Sequence, residues 1–400
     1  MWIVCQIGAR EHYAIPRALL RRNLLGTLIT DFWIAPGSAV GKLPGARRLQ
    51  DRYHAELSGS KIHAPNLQML GFEIKRRLTK PTNWAVNLER NAIFQRLALR
   101  YLKGGELQMA SQPSPTLFSY SYAAGDLFKF AKQRGWRTVL GQIDPGPEEE
   151  RIVAQERQRY SGFGSRWQPA PRSYWDSWRV EVNLADSIIV NSEWSRECLL
   201  KEGVPPSRIE VIPLVYNETS KRKVDGLENK AAALDRPLRL LFLGQLNLRK
   251  GIARLLDAMR LLRGDAVELT MAGPSEVDPS AWSDLPNVKW LGPVPRSEVG
   301  THYQNADVFI LPTLSDGYAL TQLEALSHGL PVIASRHCGA AVSHGINGWL
   351  LDDLEPEAIA RAIRGVRDSQ MLSDVRAPRF GMEDLADALI DGKSPMLPNM

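Results

Sequence analysis

Short apolar runs closed by turn-forming residues recur along the chain, and between them the apolar positions return every three or four residues. The runs read as strands buried on both faces, and the intervening period reads as helices that cover them. Such alternation is the mark of parallel sheets sandwiched between helices. In the first half, strands are predicted at 2–7, 116–120, 138–143, 187–191 and 209–212, with helices such as 125–134 and 195–202 between them. In the second half, strands at 238–243, 267–272, 288–291, 308–311 and 331–334 alternate with helices near 252–262, 296–304, 321–327 and 356–367. Each half therefore predicts its own doubly wound α/β domain.

A chain of 400 residues is long for one hydrophobic core, and two facing domains enclose a cleft. The polar stretch around Lys221, Arg222 and Lys223 has few apolar anchors, so it reads as the connection. The expected division is a first domain over 1–217, a linker over 218–236, a second domain over 237–380, and a terminal helix and tail over 381–400. The composition, 44% hydrophobic and 24% charged, is that of a folded globular chain.

The formal charge of +6 is unevenly spread: residues 1–200 hold 28 Lys and Arg against 18 Asp and Glu, and residues 201–400 hold 22 against 26. Lys75, Arg76, Arg77 and Lys80 exemplify the basic stretches of the first half. They suit an anionic lipid surface or an anionic acceptor, or else form a solvated face without a partner. No nucleic-acid-binding motif accompanies them. Cys5, Cys198 and Cys338 are too scattered for a disulfide framework or a metal site. The start of the chain has no signal-peptide pattern, and no apolar run approaches the roughly 20 residues that span a bilayer. The expectation is a cytoplasmic protein, with peripheral contact at the inner membrane face if the basic surface meets anionic lipid.

The densest chemistry lies in ILPTLSDGYALTQLEALSHGLPVIASRHCGAAVSHGINGWLL, residues 310–351. A strand ends at Pro312, a loop carries Asp316 and Gly317, and a helix begins near Leu320 and contains Glu324. The start of a helix offers unpaired amides and partial positive charge, which suits a diphosphate. Asp316 and Glu324 face the cleft in this reading, and carboxylates there accept hydrogen bonds from sugar or ribose hydroxyls. A second stretch, FLGQLNLRKG at 242–251, follows the first strand of the second half. Its Arg249 and Lys250 read either as phosphate ligands or as solvated residues at a helix start. Residues 167–178 hold three tryptophans among prolines and arginines, which either line an acceptor site or cover the core.

These stretches resemble glycosyltransferase family 4. That family carries Glu, seven residues, Glu, then Ala and a Gly-x-Pro-Val strand. Here Asp316, seven residues, Glu324 and Ala325 precede Gly329, Leu330, Pro331 and Val332, with Asp replacing the first Glu. The family's Gly-Arg-Leu, three residues, Lys-Gly is met by Gly244, Leu246, Lys250 and Gly251, with Gln245 in place of Arg and Arg249 before the lysine. Residues 183–192, 203–205 and 209–213 resemble the family's last βαβ unit of the first domain, and 379–385 its terminal helix crossing back.

The resemblance implies the GT-B fold, α/β, with two Rossmann-like doubly wound domains facing a cleft. It also implies a retaining, metal-independent transfer of a sugar from a nucleotide-diphosphate sugar to a glycan, lipid or small-molecule acceptor. No cofactor is required and no metal site is implied. Glu324 would hold ribose hydroxyls and Asp316 sugar hydroxyls, while Lys250 and Arg249 would neutralise the diphosphate. Gly8, Gly244, Gln245, Gly292, Gly317, Tyr318, Ala319, Leu320 and Thr321 would line the donor. Asp144 falls where many members place a His beside the transferred sugar, and otherwise reads as a turn former before Pro145. His12, on the Gly8 loop, is a further cleft candidate. Two other functions fit these features: a sugar-nucleotide epimerase of the same fold, and a non-catalytic sugar-nucleotide-binding protein.

Overall fold

A computed structural model describes residues 1–38, 52–79, 83–104, 114–163, 167–216, 236–339, 341–368 and 375–392. Lys80, the linker expected at 218–236 except Arg236, and the tail beyond 392 lie outside the described residues.

Among the described residues, the first sheet has seven parallel strands in the order β3-β2-β1-β4-β5-β6-β7. They are β1 (Trp2–Gln6), β2 (Leu25–Thr30), β3 (Ile62–His63), β4 (Thr116–Tyr120), β5 (Arg137–Gly141), β6 (Ser187–Val190) and β7 (Ile209–Val211). The helices between them are α1 (Ala14–Arg21), α2 (Asn66–Thr79), α3 (Asn83–Lys103), α4 (Gly125–Lys132), α5 (Pro147–Arg159), α6 (Arg172–Leu184) and α7 (Glu193–Lys201). The second sheet is also parallel, in the order β10-β9-β8-β11-β12-β13. Its strands are β8 (Leu238–Leu243), β9 (Val267–Ala272), β10 (Val288–Trp290), β11 (Val308–Leu311), β12 (Val332–Ser335) and β13 (Gly348–Leu351). The accompanying helices are α8 (Ile252–Leu261), α9 (Val299–Asn305), α10 (Leu320–Ser327), α11 (Pro356–Asp368) and α12 (Met382–Asp391).

Continuous burial explains the central strands. All residues of β1, β6, β11 and β12 are buried, as a strand covered on both faces requires. Strand β8 runs in register with β9 over six residue pairs, from Leu238 opposite Val267 to Leu243 opposite Ala272. In both sheets the chain order reverses beside the first strand, and the crevice at such a switch point is where open α/β sheets bind ligands.

The two domains are tied by chemistry from both. Helix α12 packs on α1, placing Phe380, Met382, Leu385 and Leu389 in the core of the first domain, and Arg22 bonds Asp387 at 2.5 Å. Helix α5 starts with Pro147 and three glutamates, favourable at the positive end of a helix, and reaches the second domain at its other end. There Glu156, 2% exposed at its side chain, takes both arms of Arg254 on α8 at 2.8 and 2.7 Å. Nearby, Tyr160 packs against Leu248 and Ala253. On α7, Trp194 donates to Ser315 Oγ at 3.1 Å and stacks on His337 at 3.9 Å.

Candidate active site

The turn after β8 is fixed by two local devices. Asn247 Oδ1 accepts the Lys250 amide at 3.1 Å, and Gly251 opens α8 with φ 72°. A Cβ at Gly251 would lie 2.0 Å from the Pro312 carbonyl oxygen, so only glycine lets this turn meet the loop after β11 so closely. Arg249 and Lys250 are thereby set against that loop.

The loop itself is held by backbone bonds. The Leu314 amide donates to Arg249 O at 2.9 Å, the Asp316 amide to His337 O at 2.8 Å, and the Ala319 amide to Cys338 O at 2.9 Å. Asp316 then receives the Lys250 ammonium directly, with Arg249 Nη1 3.3 Å from its other oxygen. Burial would raise the Asp316 carboxyl, but the charges of Lys250 and Arg249 outweigh it and hold the group below its usual range. Immediately downstream, the first-turn amides of Leu320 and Thr321 on α10 have no intrahelical acceptors. Two cations, one carboxylate and a helix start thus share one corner of the second domain.

The first domain closes against this corner. A Cβ on Gly317 would lie 2.6 Å from the Ile143 carbonyl oxygen and 3.4 Å from Asp144 Cα, so the two backbones touch across the domain boundary. Asp144 accepts from Tyr122 OH at 2.5 Å, the Gly146 amide at 2.9 Å and Gln142 Nε2 at 3.1 Å. Burial raises its carboxyl, and these donors with Arg10 and Arg249 only partly oppose that. Beside it Glu149, on the first turn of α5, is pushed by burial up to about 8 despite Arg249 Nη1 at 3.7 Å. Its Oε2 has no hydrogen-bond partner.

Other expected residues are placed as follows. Glu324 lies one turn into α10, where it accepts from Tyr303 OH at 3.1 Å, and Thr321 O lies 3.3 Å from the same hydroxyl. Tyr318 packs beside Gly339. Gln245 is exposed and donates to Glu276 rather than approaching Arg249. Gly244 and Gly292 hold the β8 and β10 ends together through Gly273, whose amide donates to Gly292 O at 2.8 Å. The Gly8 amide is occupied by Asp31 Oδ1 at 2.8 Å, and His12 is exposed. The tryptophans of 167–178 divide: Trp178 is core, donating to Gln142 Oε1 at 2.9 Å, whereas Trp167 and Trp175 line an interdomain cavity of about 240 Å³ with Asp144, Glu149 and Arg249. Sequence reasoning missed Glu149, Tyr122 and Trp194. Only Trp194 had a local signal, as part of the βαβ unit of the first domain. Among the described residues no group of three or more metal-ligating side chains gathers, and no helix is long and apolar enough to cross a membrane.

Two parallel Rossmann-like α/β domains meeting at a charged cleft define the GT-B architecture. Residues 237–368 match the family model described as glycosyl transferases group 1, so this family likeness rests on the second domain. The amylovoran biosynthesis glycosyltransferase AmsK of Erwinia amylovora is 32% identical over 159 residues, 36% of this chain and 39% of that protein. A D-inositol 3-phosphate glycosyltransferase of Corynebacterium urealyticum is 27% identical over 275 residues, 60% of this chain and 63% of that protein. The chain thus spans less than two thirds of either relative. Among solved structures, Anabaena HepE in complex with UDP and glucose superposes with a TM-score of 0.55 at 14% identity, covering 97% of this chain and 95% of that one.

Proposed function

We propose that this protein is a retaining glycosyltransferase of family 4 that moves a sugar from a nucleoside-diphosphate sugar to a hydroxyl acceptor in glycan or glycolipid biosynthesis. One observation carries the reading: Lys250 and Arg249 converge on a single carboxylate, Asp316, directly before the start of α10. A donor diphosphate entering this corner replaces Asp316 as partner of the two cations. Asp316 is then released toward the hydroxyls of the sugar, and Glu324 takes the ribose. As the anomeric bond breaks, negative charge grows on the departing diphosphate, where fixed cations and helix amides stabilise the transition state more than the ground state. Lys250 and Arg249 supply the neutralisation that a divalent metal provides elsewhere, so turnover persists in chelator. The names of the relatives and the UDP and glucose bound by HepE support this donor class.

Contact with an anionic membrane fits helix α2. Leu67, Ile74 and Leu78, 75%, 52% and 79% exposed, lie on one face of it beside Lys75 and Arg77.

The reading is tested by incubating the protein with a panel of nucleotide sugars and following nucleoside diphosphate release with and without acceptor, with the product's anomeric configuration read by NMR. One donor class is expected to turn over with retention. A donor bound but left intact supports the scaffold alternative, and a changed sugar nucleotide without acceptor supports the epimerase.

A further inference from the structure

The interdomain cavity beside Asp144 is walled by half-buried aromatic rings from three separate segments: Trp84 on α3, Tyr122 after β4, and Trp167, Tyr174 and Trp175 at and before the start of α6. They form a connected ladder. Tyr122 stacks on Tyr174 at 4.6 Å and 16°, and Trp84 and Trp175 meet Tyr174 edge-on at 4.9 and 5.0 Å. Rings recruited only for packing are covered, as Trp178 is at 1% exposure, yet these keep surface toward the cavity.

Their orientation is fixed. Trp84 Nε1 donates to Gln168 O at 3.2 Å and Trp175 Nε1 to Glu150 Oε1 at 3.0 Å. Tyr122 holds a left-handed backbone, φ 75°, pinned by its hydroxyl on Asp144 and its amide on Glu181 at 2.6 Å. With their polar atoms engaged, these rings offer a ligand only their faces and edges. Hydroxyl recognition falls to the acids Asp144, Glu149, Glu150 and Glu276, which among the described residues share the cavity with one cation, Arg249. Glu149 Oε2, which has no hydrogen-bond partner and lies 3.7 Å from Arg249 Nη1, has bonding capacity left among them.

We propose, resting on the transferase reading above, that this cavity is the acceptor subsite and that it takes a sugar ring bearing no anionic substituent. A pyranose has an apolar C–H face that packs on an aromatic ring and a rim of hydroxyls that donate to carboxylates. With Glu149 protonated at neutral pH, the other three acids still outnumber the one base of the described lining, which disfavours a phosphorylated or carboxylated ring. The same acids leave a lipid chain with nothing to satisfy them. The volume, below the roughly 300–1,000 Å³ of drug-sized sites, suits a ring or two rather than a long glycan.

With the donor that the wild-type protein turns over, the test measures acceptor KM for neutral methyl pyranosides and short neutral oligosaccharides, for the same sugars carrying a 6-phosphate, and for long-chain alcohols. Neutral sugars should accelerate nucleoside diphosphate release, and the other two classes should not. Trp84→Ala and Trp167→Ala should each raise acceptor KM about tenfold while the nucleotide Kd stays within twofold. Phosphosugars or alcohols serving as better acceptors, or acceptor KM within twofold in both variants, would overturn the proposal. Should no donor turn over, the transferase reading is what fails, and the cavity is still read by titrating neutral saccharides against tryptophan fluorescence. A change in the wild type that Trp167→Phe diminishes supports the subsite, and a flat titration refutes it.

Discussion

At Gly317 the second domain meets the first backbone to backbone, so adding one methyl there perturbs the cleft without removing a functional group. In Gly317→Ala the new Cβ meets the Ile143 carbonyl oxygen at 2.6 Å, its carbon at 3.3 Å and Asp144 Cα at 3.4 Å. All three are main-chain atoms, which cannot swing away as a flexible side chain does. Ordinary contact needs a separation larger by about 0.5–1 Å, so either the domains part by that much or the loop bearing Asp316 retreats. Overpacking of this kind costs about 1–3 kcal/mol in stability, and misplacement of reacting groups by about 1 Å costs on the order of 100-fold in rate. The expected outcome is a 10- to 100-fold fall in kcat/KM for donor turnover, with only a modest loss of thermal stability. Gly264→Ala, where no atom lies within 4 Å of the added methyl, is the matched control and should behave as wild type. Wild-type kcat/KM in Gly317→Ala would refute the idea that this contact sets the cleft.

Three further outcomes follow from the structure. In a double-mutant cycle of Glu156→Gln and Arg254→Met, the coupling in apparent unfolding free energy should be about 2–3 kcal/mol, near the low end for a buried pair because Arg254 keeps Glu355 at 3.0 Å; additive effects would show that the pair does not join the domains. Glu149, raised from 4.5 to about 8, holds a proton at neutral pH in the folded protein that the unfolded chain releases, so its contribution to stability falls as pH rises from about 4.5 to 8 and is then constant. Glu149→Gln should therefore raise the melting temperature more at pH 9 than at pH 5, and equal shifts at both would contradict the burial argument. Leu67→Ser combined with Leu78→Ser should lower sedimentation with vesicles of 30% phosphatidylserine at least threefold without changing the nucleotide Kd, whereas unchanged sedimentation would show that α2 is not the membrane contact.

The strands that the sequence showed best are those dominated by apolar, buried residues. The runs at 116–120, 238–243, 267–272 and 308–311 coincide with β4, β8, β9 and β11: β11 is buried throughout, and partly or fully exposed polar residues interrupt the others only at Thr116, Arg239, Glu268 and Thr270. Strands β2, β3 and β13 were illegible for different reasons. LGTLIT mixes polar and apolar residues, β3 has two residues and exists only by pairing with β2, and β13 is an edge strand opening on Gly348. Helix α5 hid behind its charge: PEEERIVAQERQR has little apolar face because part of it meets the second domain through ion pairs. The contact of Lys250 and Arg249 with Asp316 falls within the two stretches that the sequence singled out, each the loop that follows a strand end. Glu149 could not be singled out so, because an acid in the first turn of a helix is ordinary and only the tertiary fold buries it beside Asp144 and Arg249. The aromatic cavity likewise draws on residues 84, 122 and 167–175, which the chain does not place together until three segments have packed.

Calorimetric binding of the donor's nucleoside diphosphate and of the matching monophosphate, each to the wild type and to Lys250→Ala, bears most directly on the phosphate corner beside α10. The wild type should favour the diphosphate by at least tenfold, as one charge-assisted contact to the second phosphate provides, and the preference should shrink to within threefold in the variant. An undiminished preference in Lys250→Ala, with the fold intact by circular dichroism, would contradict the account.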